Sequence, residues 1–125
     1  MFSIGPCAFP EVRFAEMVFP EKENHYHAMI GAQAMRMLDV SAFVAASRVA
    51  RLPLVTARIE DFRFLAPLLS GRLAESVSQV CEVKEKEIAV EAKLFSEDLL
   101  SGARELCVRG RFYFRLAKTA QISPP

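Results

Sequence analysis

The sequence predicts an α+β fold, an antiparallel β-sheet wrapped around one long central helix. Three observations lead there. Residues 28–46, AMIGAQAMRMLDVSAFVAA, are apolar on almost every side, with Arg36 and Asp39 as the only charges. A helix without a polar face belongs inside a protein. Everything after Pro53 carries strand signals instead, in four segments set apart by turn residues. The links between those segments are short, which favours hairpins over crossovers.

Each element follows in order. Residues 1–11 contain Gly5, Pro6 and Pro10 and read as an irregular arm. Residues 12–19 alternate loosely and stop at Pro20, a first short strand. The polar run EKENHYH leads into the helix, which ends near Arg51-Leu52-Pro53 because proline cannot continue it. A second strand, LVTARIEDFRFLAP, runs to Pro67, and RLAESVSQVCEV follows the Ser70-Gly71 turn. IAVEAKLFSED comes after a charged KEKE tip, and ELCVRGRFYFRLA follows Ser101-Gly102. In that last strand Leu106, Val108, Phe112, Phe114 and Leu116 are expected on one face, with Glu105, Cys107, Arg109, Arg111, Tyr113 and Arg115 on the other. Residues 118–125 read as a frayed tail. No internal repeat or second domain is visible, so residues 1–125 are expected to form one domain.

Composition narrows the function classes. Hydrophobic residues make up 52% and charged residues 25%, a globular balance. The net charge of +1 and the lack of a basic run argue against nucleic acid as a partner. The start, MFSIGPCAFPEVRF, lacks a charged segment followed by a long apolar one, so no signal peptide is expected. Arg36 and Asp39 interrupt the apolar stretch too early for a membrane span. The three cysteines, Cys7, Cys81 and Cys107, are odd in number and widely spaced, as expected of reduced thiols in a cytoplasmic protein. No metal-ligand cluster is apparent beyond His25 and His27.

Asp39 is the residue that asks for a chemical explanation. Burying a carboxylate in an apolar helix costs several kcal/mol, roughly, unless something pairs with it. Arg36, three positions earlier on nearly the same face, offers a plain structural answer by neutralising it. A catalytic acid is the other. The sheet also needs covering on its outer face, and its open edge is a liability that pairing between two copies would remove.

Several segments resemble one family in register. MVFPEKENHYHAMIGAQAMRMLD is similar to VFPxxxNHxGxxFGGxLLxWMD of the hotdog-fold acyl-CoA thioesterases. AASRVARLPLVTARIEDFRFLAPLLSGRLAE resembles AAxRHAxxxVVTASVDxxxFLAPxxxGDxxE, and SEDLLSGARELCVRGRFYFRLA resembles AEDxxTGxRxLxxxGxFTFVA. The likeness covers about residues 12–117. It implies a hotdog fold and hydrolysis of acyl-CoA, with CoA as part of the substrate and no separate cofactor or metal. It also implies homodimers, assembled further into tetramers or hexamers, with sites between protomers.

The resemblance further implies roles. Asn24 matches the family's catalytic-loop asparagine and Asp39 its helix acid, the two coming from different protomers. Asp39 would act as general base or as nucleophile, and Asn24 would orient the water or the carbonyl. The backbone N–H of Gly31 would polarise the thioester carbonyl. Thr56 matches the threonine of the family's VTA segment and would hydrogen-bond near the site. Apart from the resemblance, guanidinium geometry suits phosphate, so Arg48, Arg51 and Arg58 are candidates to meet CoA phosphates. Plainer readings stay open: a helix cap or turn for Asn24, a packing glycine at Gly31, an ordinary strand threonine at Thr56 and a solvated surface for the arginines.

The chain also departs from the pattern. His27 replaces a glycine, Ala32 the second glycine of FGG, Arg36 a small or neutral residue, Arg58 the serine of VTAS and Arg72 an aspartate. These changes recommend a second reading, a non-catalytic acyl-CoA binding or sensor protein. A hotdog dehydratase ranks below both, because FPEKENHYH lacks the prolines and closing glycine of HFPxxPxxPG.

Overall fold

A computed structural model describes residues 9–19, 28–29 and 31–117. The order is β1 (Val12–Met17), α1 (Gly31–Ala50), β2 (Leu54–Phe64), β3 (Leu73–Val83), β4 (Ile88–Glu97) and β5 (Arg104–Leu116). All pairings are antiparallel, and the strands lie in the order β1-β3-β4-β5-β2. The expected hairpins form at β3–β4 and β4–β5, with Gly102 in the left-handed region at the second turn. β2 does not pair with β3. It lies at the far edge beside β5, and residues 65–72 carry the chain back past the start of α1. That link is held by Met29 N–H donating to the Leu68 carbonyl at 2.8 Å and Gly71 N–H to the Val18 carbonyl at 3.0 Å.

Small residues let the helix sit close to the sheet. α1 turns Ala34, Met37, Leu38, Ser41, Ala42, Ala45 and Ala46 inward. They meet Ala74, Ser76, Ser78 and Val80 of β3 and Val90, Ala92 and Leu94 of β4, all buried. At the centre the Ser41 hydroxyl donates to Ser78 Oγ at 2.8 Å, so two polar groups without access to water satisfy each other. Leu38 is fully buried and contributes about 2 kcal/mol of burial free energy. The helix stops at Arg51, which adopts φ 54° and still donates its N–H to the Ser47 carbonyl before Pro53.

Three sequence expectations change. The helix is not enclosed: Met35, Val40 and Phe43 are exposed, because one sheet covers one side of a helix and the opposite side needs another partner. Residues 28–29 precede the helix in extended conformation, bridged to Leu69. Cys107 faces inward with no exposure instead of outward, because a bulge between Leu94 and Phe95 puts two β5 residues opposite one position of β4. Among the described residues no helix is long and apolar enough to cross a membrane.

Candidate active site

The seam between α1 and the edge strand β2 gathers two of the residues singled out above. Asp39 stands half-buried on the flank of α1 that faces β2. Thr56 lies where β2 pairs with Phe114, a residue buried against the helix, so its side chain is on the same sheet face. The Thr56 hydroxyl donates to Asp39 Oδ1 at 2.9 Å. A carboxylate has two oxygens and several acceptor sites, so Oδ2 is left to meet a further donor.

Arg36 does not take part. Among the described residues no ion pair joins it to Asp39, although both are placed. Three helical positions rotate a side chain by about 60°. That rotation turns Arg36 out to the exposed flank beside Phe14, Glu16 and Val40, while Asp39 looks along β2. The expected neutralisation is therefore absent.

Gly31 opens α1 two turns before Asp39, on the ridge Gly31, Met35, Asp39. A Cβ at Gly31 would come within 3.3 Å of the Phe64 ring. Phe64, from the FRFLAP segment, thus packs on the first turn of the helix, and Phe62 meets its edge at 5.2 Å between centroids. Sequence reading leaves Phe64 without a role, since an aromatic at a strand end reads as core; its exposure of 58% shows otherwise.

Arg58 lies on the opposite face of the sheet. A bulge at Ala57 separates it from Thr56, and it pairs with Tyr113, stacking 3.9 Å over that ring. Its guanidinium binds Glu60 at 2.8 Å and also Glu87, and these contacts hold it protonated beyond its usual range and Glu60 below the usual carboxylate range. Arg48 and Arg51 are exposed near the far end of the helix. Asn24, His25 and His27 lie outside the described residues. Cys107 donates weakly to the Pro67 carbonyl, and burial pushes its thiol up, so it is a packing residue and a poor nucleophile. Among the described residues no three His, Cys, Asp or Glu side chains gather to hold a metal ion.

Two hollows of about 240 and 270 Å³ lie elsewhere, one between the end of α1 and the β3–β4 tip, the other beside Phe14 and Arg36. Neither includes Asp39 or Thr56. The seam is not an enclosed cavity in a single chain, because β2 has no strand on its outer side.

No family profile matches the chain. It is 30% identical over 105 residues to the uncharacterized acyl-CoA thioester hydrolase YkhA of Bacillus subtilis (strain 168), covering 78% of this chain and 61% of that protein. The crystal structure of an acyl-CoA hydrolase from Agrobacterium tumefaciens superposes with a TM-score of 0.81 at 31% identity, over 91% of this chain and 46% of that one. An acyl-CoA hydrolase from Bacillus cereus gives 0.82 at 28% identity, over 88% and 68%. The chain thus spans about three-fifths of the first relative and under half of the first structure. The sheet order, the single helix and these likenesses agree: the chain has the hotdog fold and is similar to acyl-CoA thioester hydrolases.

Proposed function

We propose that this chain hydrolyses acyl-CoA to a free acid and CoA at a site shared between two protomers. The observation that carries the reading is the Thr56–Asp39 hydrogen bond of 2.9 Å on the open seam. It restrains one carboxylate oxygen, and the other would serve the reactant. In one course, Asp39 takes a proton from water as the water oxygen attacks the thioester carbon, and the CoA thiolate leaves. In the other, Asp39 attacks that carbon itself, the C–S bond breaks to release the CoA thiolate, and water then hydrolyses the acyl-aspartate to the free acid. Either way negative charge develops on the carbonyl oxygen, and the Gly31 N–H at the start of α1 is suited to receive it.

Two features favour a second protomer. β2 is an eleven-residue edge strand, almost wholly exposed, and an open edge of that length invites pairing with a copy of itself. The bare flank of α1, with Met35, Val40 and Phe43, needs cover as well. In such a pair Asn24 of one protomer would meet Asp39 of the other and orient the water or the carbonyl. The names of the relatives support the substrate class. Arg58 stays outside the seam, where Glu60 and Glu87 compete for it with any phosphate.

The test is Asp39→Asn, assayed on short, medium, long and aromatic acyl-CoAs. Removing a positioned base is expected to lower kcat about 10²–10⁴-fold with the protein folded. Near-wild-type hydrolysis by the variant would falsify the assignment of Asp39. Binding of acyl-CoA without turnover by the unaltered protein would leave a sensor in its place.

A further inference from the structure

Among the described residues two side-chain hydrogen bonds tie α1 to the sheet, and they leave the helix on opposite sides. Asp39 accepts from Thr56 of β2, and Ser41 donates to Ser78 of β3, with β4 and β5 lying between those two strands. Two helical positions turn a side chain by about 200°, which is how neighbours so close in sequence reach opposite ways. Ser41 and Ser78 are both fully buried, so water cannot take the place of their bond. Little else on that stretch of helix is directional. After Asp39 the buried residues of α1 are Ser41, Ala42, Ala45 and Ala46, all small, while the larger Met37 and Leu38 come before it. Hydrophobic burial is non-directional. It sets how near the helix lies, and a hydrogen bond sets how the helix is turned. A side-chain end stands about 5–6 Å from a helix axis, so a turn of about 10° moves a carboxylate by about 1 Å. Such a shift would take the Thr56–Asp39 bond of 2.9 Å out of hydrogen-bonding range.

We propose that Ser41 and Ser78 are positioning residues for the reaction: their buried bond fixes the turn of α1 on β3, and that turn brings Asp39 to Thr56. The inference rests on the thioesterase reading and adds to it two residues that touch no substrate. A purely structural role predicts something different. Two hydroxyls that satisfy only each other can be replaced by two methyl groups with little effect on stability. If the pair served stability alone, removing both hydroxyls would restore stability and rate together. If it sets the turn of the helix, stability returns and the rate does not.

The experiment compares Ser41→Ala, Ser78→Ala and the double variant, each with and without Thr56→Val, by steady-state kinetics and thermal unfolding. One alanine leaves the other hydroxyl buried without a partner and should lower Tm; two alanines should recover most of that loss. The double variant is nonetheless expected to keep a kcat lowered about 10-fold or more, with KM little changed. Adding Thr56→Val should then lower kcat little further, because the bond it removes is already loosened. A restored kcat in the double variant, or losses that multiply with Thr56→Val, would overturn the proposal. Ser78→Cys keeps the side-chain size with only a weak hydrogen-bonding group, and decides the matter if the double variant does not fold. A lowered kcat in that variant supports the proposal, and an unaltered kcat overturns it. If no acyl-CoA is hydrolysed, the thioesterase reading fails separately, and Tm carries the test. The drop in Tm caused by Thr56→Val should be smaller in the double-alanine or Ser78→Cys background than in the unaltered protein. Equal drops overturn the proposal.

Discussion

Asp39 and Thr56 are seventeen positions apart and meet because one sits on a helix flank and the other on the strand beside it. A hydroxyl bound to one carboxylate oxygen limits how the group can rotate. Thr56→Val keeps the shape and removes the donor, so its effect isolates that restraint. Hydrogen bonds to charged groups contribute about 1.5–3 kcal/mol, which corresponds to a loss of about 10- to 100-fold in kcat. Thr56→Ser retains the hydroxyl and should recover most of the activity, with KM changed little in either variant. Steady-state kinetics on one acyl-CoA checks both, and equal rates in Thr56→Val and the unaltered protein would show that the bond holds nothing the reaction needs.

At the scale of elements, β2 stays against β5 because aromatic rings reach across the sheet to a residue without a side chain. A Cβ on Gly110 of β5 would lie 2.7 Å from Phe62 Cδ1, closer than such atoms come. Phe62 in turn meets Phe112 at 6.3 Å and Phe64 at 5.2 Å. Gly110→Ala must therefore displace Phe62, and overpacking of this kind costs about 1–3 kcal/mol. Urea unfolding should show that loss. In a Phe62→Ala background the same change should cost much less, since the clash has gone and the two sites are coupled. Additive losses would place the strain elsewhere.

For the whole molecule the open question is what covers β2 and the bare flank of α1. If two protomers share each site, Asn24→Ala and Asp39→Asn subunits, each inactive alone, complement one another. A mixed pair carries one site with both changes and one with neither. Random exchange of equal amounts makes about half the pairs mixed, so about a quarter of the original sites return. Activity regained on mixing, with exchange followed by native mass spectrometry, is the expected outcome. Exchange without activity would show that Asn24 and Asp39 do not meet across the interface.

The sequence by itself determined the elements. Alternation in residues 73–83 and 104–116, Pro53 after the helix and the turn at Ser101-Gly102 are local signals, and local physics answers them. The resemblance to hotdog thioesterases was likewise carried by short runs in register. Only the tertiary structure decided which elements are neighbours: β2 went to the far edge beside β5, since strand order depends on packing across the whole sheet. It also decided the partners of the charges. Arg36 is three positions from Asp39 and turns away, whereas Thr56 is distant in sequence and bonds to it. Arg58, two positions from Thr56, was sent to the opposite face by a bulge and bound by Glu60 and Glu87. Sequence distance measures separation along the chain; helix rotation, strand bulges and sheet order set which side chains share a face.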